Sequence, residues 1–169
     1  MAIMRLLSVL RLASVVAGYV VNVGTTCTLY PESTTHNGRL EDDVPSIHQA
    51  FDLCGVNGTV VFSNGTFYIA SVMNTTNLLN VEVKLQGRLL FSDNIPYWRS
   101  HSFPVIFQNQ VTAWLFGGKN VTLRGEGGWI DGQGQTWYTF NRNGANMPGR
   151  PIVITVFNST DVWIDGLAM

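Results

Sequence analysis

Three times the chain writes Asn or Asp, then valine, then one further apolar residue two places on: Asn80-Val81-Glu82-Val83, Asn120-Val121-Thr122-Leu123 and Asp161-Val162-Trp163-Ile164. The starts lie about 40 residues apart, a period that belongs to stacked repeats rather than to a helical bundle. Asn and Asp tolerate left-handed backbone, so each phrase reads as a corner followed by a strand with one face buried. Val121 to Tyr138 shows what one repeat contains. Val121 and Leu123 alternate with Thr122 and Arg124, Gly125 to Gly128 turn a corner, Trp129 and Ile130 start a second strand, and Asp131-Gly132 with Gly134 turn again before Trp137 and Tyr138. Taken alone the stretch also fits a β-hairpin with a glycine-rich loop. Recurrence favours one coil of a parallel β-solenoid.

Further short β-rich runs agree: Gly58–Ser63, Thr66–Ala70, Val81–Leu85, Leu89–Phe91, Ala113–Phe116, Val121–Leu123, Trp129–Ile130, Ile152–Phe157 and Val162–Ile164. Thr25–Leu29 is a further strand and Pro31–Leu40 a polar loop. A β-sandwich also has many short strands, but it favours tight hairpins over recurrent Asn-Val corners. One helix is expected, with Asp42-Asp43 as its cap, Pro45 in its first turn, Ile47, Ala50, Phe51 and Cys54 on one face, and Gly55 at its end. Its apolar face has to cover something, and the open first coil of a solenoid is the natural partner. Ser92–Gln110 and Phe140–Pro151 break the rhythm. The first is a long loop carrying Tyr97, Trp98, Arg99 and His101, and the second carries Arg142, Asn143 and Arg150, so both are candidates for a functional rim. Tyr97, Trp98, Trp137 and Tyr138 either stack on sugars or pack the wall, and Arg142 joins Tyr97, Trp98 and Trp137 as a candidate sugar contact.

The first residues bear on compartment. Arg5 precedes an apolar run from Leu6 to Val23, interrupted by Arg11, and Val15-Val16-Ala17 supplies small residues for cleavage. The expectation is a signal peptide over residues 1–17, with residues 18–169 forming coils of a single domain; a buried first strand and an uncleaved anchor are the alternatives. Five Asn-x-Ser/Thr sequons, at Asn57, Asn64, Asn74, Asn120 and Asn158, are candidate glycosylation sites, although asparagine-rich turns also serve a solenoid structurally. Cys27 and Cys54 are the only cysteines. They form either a bridge, worth about 3 to 4 kcal/mol through loop entropy, or two buried thiols. With 10 Lys and Arg against 11 Asp and Glu, the chain lacks the excess charge of a nucleic-acid binder, though basic groups within a cleft stay compatible with it.

The ordered set EDDVPSIHQAFDLCG (41–55), GTVVFSNGTFYIAS (58–71), VKLQGRLLFS (83–92) and GGWIDGQGQTWY (127–138) resembles the N-terminal part of glycoside hydrolase family 28, the polygalacturonases, and within it secreted fungal exopolygalacturonases. Asn74-Thr-Thr, Ile95-Pro-Tyr-Trp and Gly149-Arg150-Pro151 strengthen that subgroup. The resemblance implies an all-β chain folded as a right-handed parallel β-helix, a pectin-lyase-like solenoid with an N-terminal capping helix, here truncated. It also implies a Cys27–Cys54 bridge, extracellular inverting hydrolysis of galacturonan bonds in pectin, a pectic polysaccharide as the partner, and a monomer at full length. No cofactor, metal or nucleic acid is implied, nor a membrane once the signal is removed. A rhamnogalacturonan hydrolase and a noncatalytic carbohydrate-binding solenoid are the rival readings.

The family's catalytic set does not occur in this sequence. Inverting hydrolysis needs an acid and a base about 6.5 to 9.5 Å apart so that a water fits between them. The family supplies these from an Asn-Thr-Asp motif and an Asp-Asp pair, supported by Gly-His-Gly and Arg-Ile-Lys. Asp42-Asp43 is a pair, but at a helix start, where capping accounts for it. Asp131 and Asp165 precede glycines in corners. The expectation is therefore a polypeptide carrying the family's scaffold without its catalytic residues, inactive alone.

Overall fold

A computed structural model describes residues 18–32, 35–36, 39–106, 108–142 and 148–169. The expected signal peptide, residues 1–17, lies outside the described residues, as does Asn143.

In chain order the elements are β1 (Tyr19–Val23), β2 (Thr26–Tyr30), β3 (Thr35–His36), β4 (Arg39–Leu40), α1 (Val44–Cys54), β5 (Thr59–Phe62), β6 (Thr66–Ile69), β7 (Met73–Leu85), β8 (Arg88–Phe91), α2 (Ile95–His101), β9 (Phe103–Val105), β10 (Gln110–Arg124), β11 (Trp129–Asp131), α3 (Gly134–Phe140), β12 (Pro151–Val156) and β13 (Thr160–Asp165). The larger sheet runs β1-β2-β5-β7-β10-β12, with β9 and β13 also on β10; the smaller runs β6-β8-β11. Within these two sheets every pairing is parallel except β1 with β2 and β9 with β10. Parallel neighbours need crossover connections, so hairpins cannot build this arrangement, and the sandwich alternative fails.

Register stacks like on like. Cys27, Val60, Val83, Leu123 and Ile164 are successive Cα partners across β2, β5, β7, β10 and β13. The first four are buried, while Ile164 on the last strand is 42% exposed. In the smaller sheet Phe67, Leu89 and Ile130 form a second buried column. These columns face each other across one apolar interior, joined by Phe62, which meets Phe67 edge-on at 5.2 Å.

The recurring corners hold their phase through side chains. Gly24, Asn57, Asn80, Asn120 and Asp161 all have positive φ, between 50° and 62°, and they occupy equivalent positions along the strands β2, β5, β7, β10 and β13. The Asn80 amide donates to the Asn57 side-chain carbonyl at 2.8 Å and the Asn120 amide to that of Asn80 at 3.0 Å.

Helix α1 matches the expected span, and its buried face includes Ile47, Ala50, Phe51 and Cys54. It packs on β2, β1, β5 and β7, and Cys54 is bridged to Cys27. The expected cap needs correction, because the Asp43 side chain makes no capping bond. Its two oxygens instead accept from the backbone N–H groups of Glu32 and Tyr68, while Asp42 Oδ1 accepts from Val44 N and Ala70 N. This acidic pair ties the helix start to β6 and the segment after it.

Several other boundaries differ from expectation. Residues 31–40, expected as a loop, include the short β3–β4 pair. Tyr19–Val23, at the end of the apolar leader run, is a strand on the edge of the large sheet. Ala113–Phe116 and Val121–Leu123 belong to a single strand, because β10 runs through Gly117 and Gly118 at φ +150° and +141° with a register shift. At Gly118 the backbone of Leu78 occupies the place of a Cβ. The Ser92–Gln110 loop contains α2 and β9, and the segment after Asp131 turns into α3.

Candidate functional site

The two interrupting helices gather on one side of the stack, and most of the described cavities lie around α3. Helix α2 starts with the Asn94 side chain accepting from Tyr97 N at 3.2 Å, with Pro96 in its first turn. Helix α3 is launched by the Asp131 corner. Asp131 Oδ1 accepts from Gln133 N at 2.9 Å, Gln133 adopts φ +49°, and its side-chain amide donates to the Phe91 carbonyl at 3.0 Å. Asp131 also pairs with Arg88, whose guanidinium lies 4.6 Å from the Trp129 ring centroid. Burial pushes the Asp131 carboxyl up, but the hydrogen bonds from Arg88 and Gln133 outweigh it and hold the group below its ordinary value.

Adjacent aromatics on α3 therefore part company. Trp137 is 5% exposed, under the helix, whereas Tyr138 is 64% exposed. Trp98 is likewise buried, at 2%, with its indole N–H on the Ser92 carbonyl at 2.8 Å. Tyr97 is half-buried; its hydroxyl accepts from Val72 N and its ring stacks on His101 at 4.3 Å. Among the candidate sugar contacts, Trp98 and Trp137 thus offer solvent no open face, and Tyr97 offers little. Arg142 is exposed and borders a shallow cavity of about 540 Å³ with Ile95, Thr136 and Phe140.

The larger cavity is about 650 Å³ and opens beside α3, lined by Gln108, Asn109, Gln110, Tyr138, Arg150 and Ile152 among others. Its centre is a stacked pair, with the Arg150 guanidinium 5.0 Å from the Tyr138 ring centroid. Gln108 and Asn109 hold consecutive left-handed backbone conformations, φ +51° and +53°. Such strain costs of order 1 to 2 kcal/mol per residue and persists where surrounding structure imposes it. Beneath, a narrower pocket of about 220 Å³ is floored by Phe91, Trp98, Trp137 and Val153, again with Arg150 at its edge. The sequence offered Arg150 as a rim residue and Tyr138 as an aromatic that either stacks on sugars or packs the wall. Their stacking spans 12 residues, and the two amides between β9 and β10 lie about 30 residues from Tyr138 and about 40 from Arg150, so neither carries a local signal.

The acidic candidates stay structural. Asp42 and Asp43 are engaged by backbone donors and Asp131 by Arg88. No group of three or more His, Cys, Asp and Glu among the described residues could hold a metal. No helix among them is long and apolar enough to cross a membrane. All five sequon asparagines are exposed. Asn57 and Asn120 sit in the corner ladder, and the Asn74 side chain accepts from the Thr76 hydroxyl of its own sequon at 2.9 Å.

No protein-family model matches the chain. Individual relatives do. It is 50% identical over 127 residues to an alpha-L-rhamnosidase of Aspergillus niger, covering 75% of this chain and 30% of that protein. It is 42% identical over 163 residues to a protein named galacturan 1,4-alpha-galacturonidase C of the same species, covering 95% of this chain and 37% of that one. The endo-xylogalacturonan hydrolase of Aspergillus tubingensis, a crystal structure, superposes with a TM-score of 0.63 at 23% identity, over 84% of this chain and 42% of that chain, a likeness of fold. The chain thus spans about a third of the length of the curated relatives it matches. Parallel strand stacking and identity of this extent point the same way as the motifs: over these aligned residues the chain resembles the pectin-degrading hydrolases of glycoside hydrolase family 28.

Proposed function

We propose that a protein carrying this chain hydrolyses galacturonan bonds of pectin outside the cell, acting from chain ends and inverting the anomeric centre. On this reading residues 1–17 are a signal peptide and residues 18–169 are coils of one right-handed parallel β-helix domain, with α1 covering the first coil. The observation carrying the proposal is 42% identity to a galacturan 1,4-alpha-galacturonidase across nearly the whole chain. The family's catalytic motifs are absent from the sequence, and Asp42, Asp43 and Asp131 are occupied in structural contacts, so the 169 residues alone turn nothing over. A second reading, attack on rhamnose-containing pectin, draws on the 50% identity to an alpha-L-rhamnosidase.

One experiment separates these. The full-length gene product is incubated with polygalacturonate and with rhamnogalacturonan, and reducing ends and released sugars are followed beside the 169-residue chain. Galacturonate released from polygalacturonate by the full protein supports the first reading. Rhamnose release alone supports the second, and turnover by the short chain that survives repurification refutes its inactivity.

A further inference from the structure

Charge is unevenly distributed along this nearly neutral chain. Residues 94–119 and 132–160 contain no aspartate or glutamate, yet they hold Arg99, Lys119, Arg142 and Arg150. Folding brings three of the four to one side. Arg142 follows two residues after α3, Arg150 stacks on Tyr138 of that helix, and the stem of Arg99 on α2 packs against Gly149, where a Cβ would lie 3.3 Å from its Cγ. All five ion pairs found among the described residues use Lys84, Arg88 or Arg124, on the strands; none uses Arg99, Arg142 or Arg150. Most acids near the rim are held elsewhere, Asp131 by Arg88, Glu82 and Asp165 by Arg124, and Glu126 by Lys84, while Asp93 just before α2 is in none of these pairs.

A guanidinium stacked on a ring keeps its in-plane N–H donors available, in the fork that fits a carboxylate. Around Arg150 the cavity adds the amides of Gln108, Asn109 and Gln110, which suit hydroxyl groups, and the exposed Tyr138 ring, which suits a sugar face. About 650 Å³ is room for a short oligosaccharide. We propose that the Arg150–Tyr138 cavity is a binding subsite for a uronate sugar in its free-acid form, with Arg150 reading the carboxylate and Arg142 and Arg99 offering further positive charge to neighbouring units. Methyl esterification removes the charge that Arg150 recognises, so the subsite discriminates between esterified and unesterified polymer. The choice of a uronate among carboxylates rests on the pectin-hydrolase reading; the anion preference rests on the rim alone.

Titration calorimetry of the 169-residue chain with trigalacturonate, its methyl ester and neutral galactotriose tests this. The expected result is binding of the free acid, weakened by salt, with the ester and the Arg150→Gln variant each bound about tenfold more weakly, the equivalent of about 1.4 kcal/mol. Arg150→Lys, which keeps the charge but loses the fork, falls between, and circular dichroism of each variant confirms folding. Equal affinity for acid and ester, or no effect of Arg150→Gln in a folded chain, overturns the proposal. The hydrolase reading can fail separately: if the whole protein hydrolyses no pectic polymer while the short chain still distinguishes acid from ester through Arg150, the subsite stands. If the whole protein hydrolyses polygalacturonate with KM unchanged by Arg150→Gln, the subsite alone is lost.

Discussion

The side-chain amide of Asn120 donates to the side-chain carbonyl of Asn80 across 3.0 Å, although 40 residues separate them. Asn80 passes the bond on to Asn57, so it is donor and acceptor at once, in a backbone conformation with φ +52°. Two substitutions separate these roles. Asn80→Gly keeps the backbone accessible and removes both side-chain bonds, an expected loss of about 1 to 2 kcal/mol. Asn80→Ala adds left-handed strain of about 1 kcal/mol more. Urea unfolding of both variants checks the order; equal stability of the alanine and glycine variants would show that backbone strain is absent at this corner.

At the next rung stands Asp161, the Cα neighbour of Asn120, with φ +57°. An ionised carboxylate has no proton to donate to the Asn120 side-chain carbonyl, so the run of bonds stops there. Asp161→Asn supplies the donor and also suits left-handed backbone. A gain of about 0.5 to 1 kcal/mol is expected, read as a higher urea midpoint with unchanged slope. A lower midpoint would count against the ladder as a source of stability.

Acid should stabilise this fold. Burial pushes the Asp43 carboxyl up to about 6 from 3.8, against the lowering effect of its hydrogen bonds from Glu32 N and Tyr68 N. The folded chain therefore holds that proton more tightly than the unfolded chain. The contribution is full below about pH 4 and is lost as pH rises through about 6, amounting to roughly 2 to 3 kcal/mol. Asp131 acts in the opposite sense, since its value is lowered and its contribution fades only below the ordinary carboxylate range. Unfolding free energy measured from pH 3 to pH 8 should peak at roughly pH 4 to 5, and Asp43→Asn should flatten the decline above it. A stability curve that rises from pH 5 to pH 7 contradicts this assignment.

Trp137 and Tyr138 are neighbours in sequence with opposite burdens. Trp137→Ala empties a buried site and should cost about 3 to 5 kcal/mol. Tyr138→Ala, on the exposed side, should change stability by less than about 0.5 kcal/mol. Thermal unfolding of the two variants decides between them, and comparable losses would place Tyr138 in the wall rather than in a cleft.

How much of this was legible in the sequence depends on the range of the cause. Asn80, Asn120 and Asp161 announced the repeat because a left-handed corner is a local requirement written in residue type. Helix α1 was equally plain, since Ile47, Ala50, Phe51 and Cys54 show its face. Of the two aspartates before it, Asp42 does meet the helix start through Val44 N, but Asp43 was misread as a cap because its partners, at Glu32 and Tyr68, lie 11 and 25 residues away. Gly117 and Gly118 looked like a break between strands. They permit a strand to continue where Leu78 comes too close for any side chain, a fact invisible without the neighbouring coil. Helices α2 and α3 are only seven residues each, too short for periodicity to separate from aromatic loop, and the rim they form was recognised by composition alone.

The corner positions Gly24, Asn57, Asn80, Asn120 and Asp161 are spaced by 33, 23, 40 and 41 residues, from the differences of their numbers, yet they align in space. Alignment is thus enforced anew at every rung by a bond or a backbone angle, and nothing requires the intervening chain to be of constant length. Such an architecture works as a rack with fixed teeth: excursions can lengthen, shorten or change composition between two teeth without disturbing those above and below. The segments carrying α2 and α3 are the material that this freedom leaves open to variation, so the surface they form can change while the stack that bears them stays untouched.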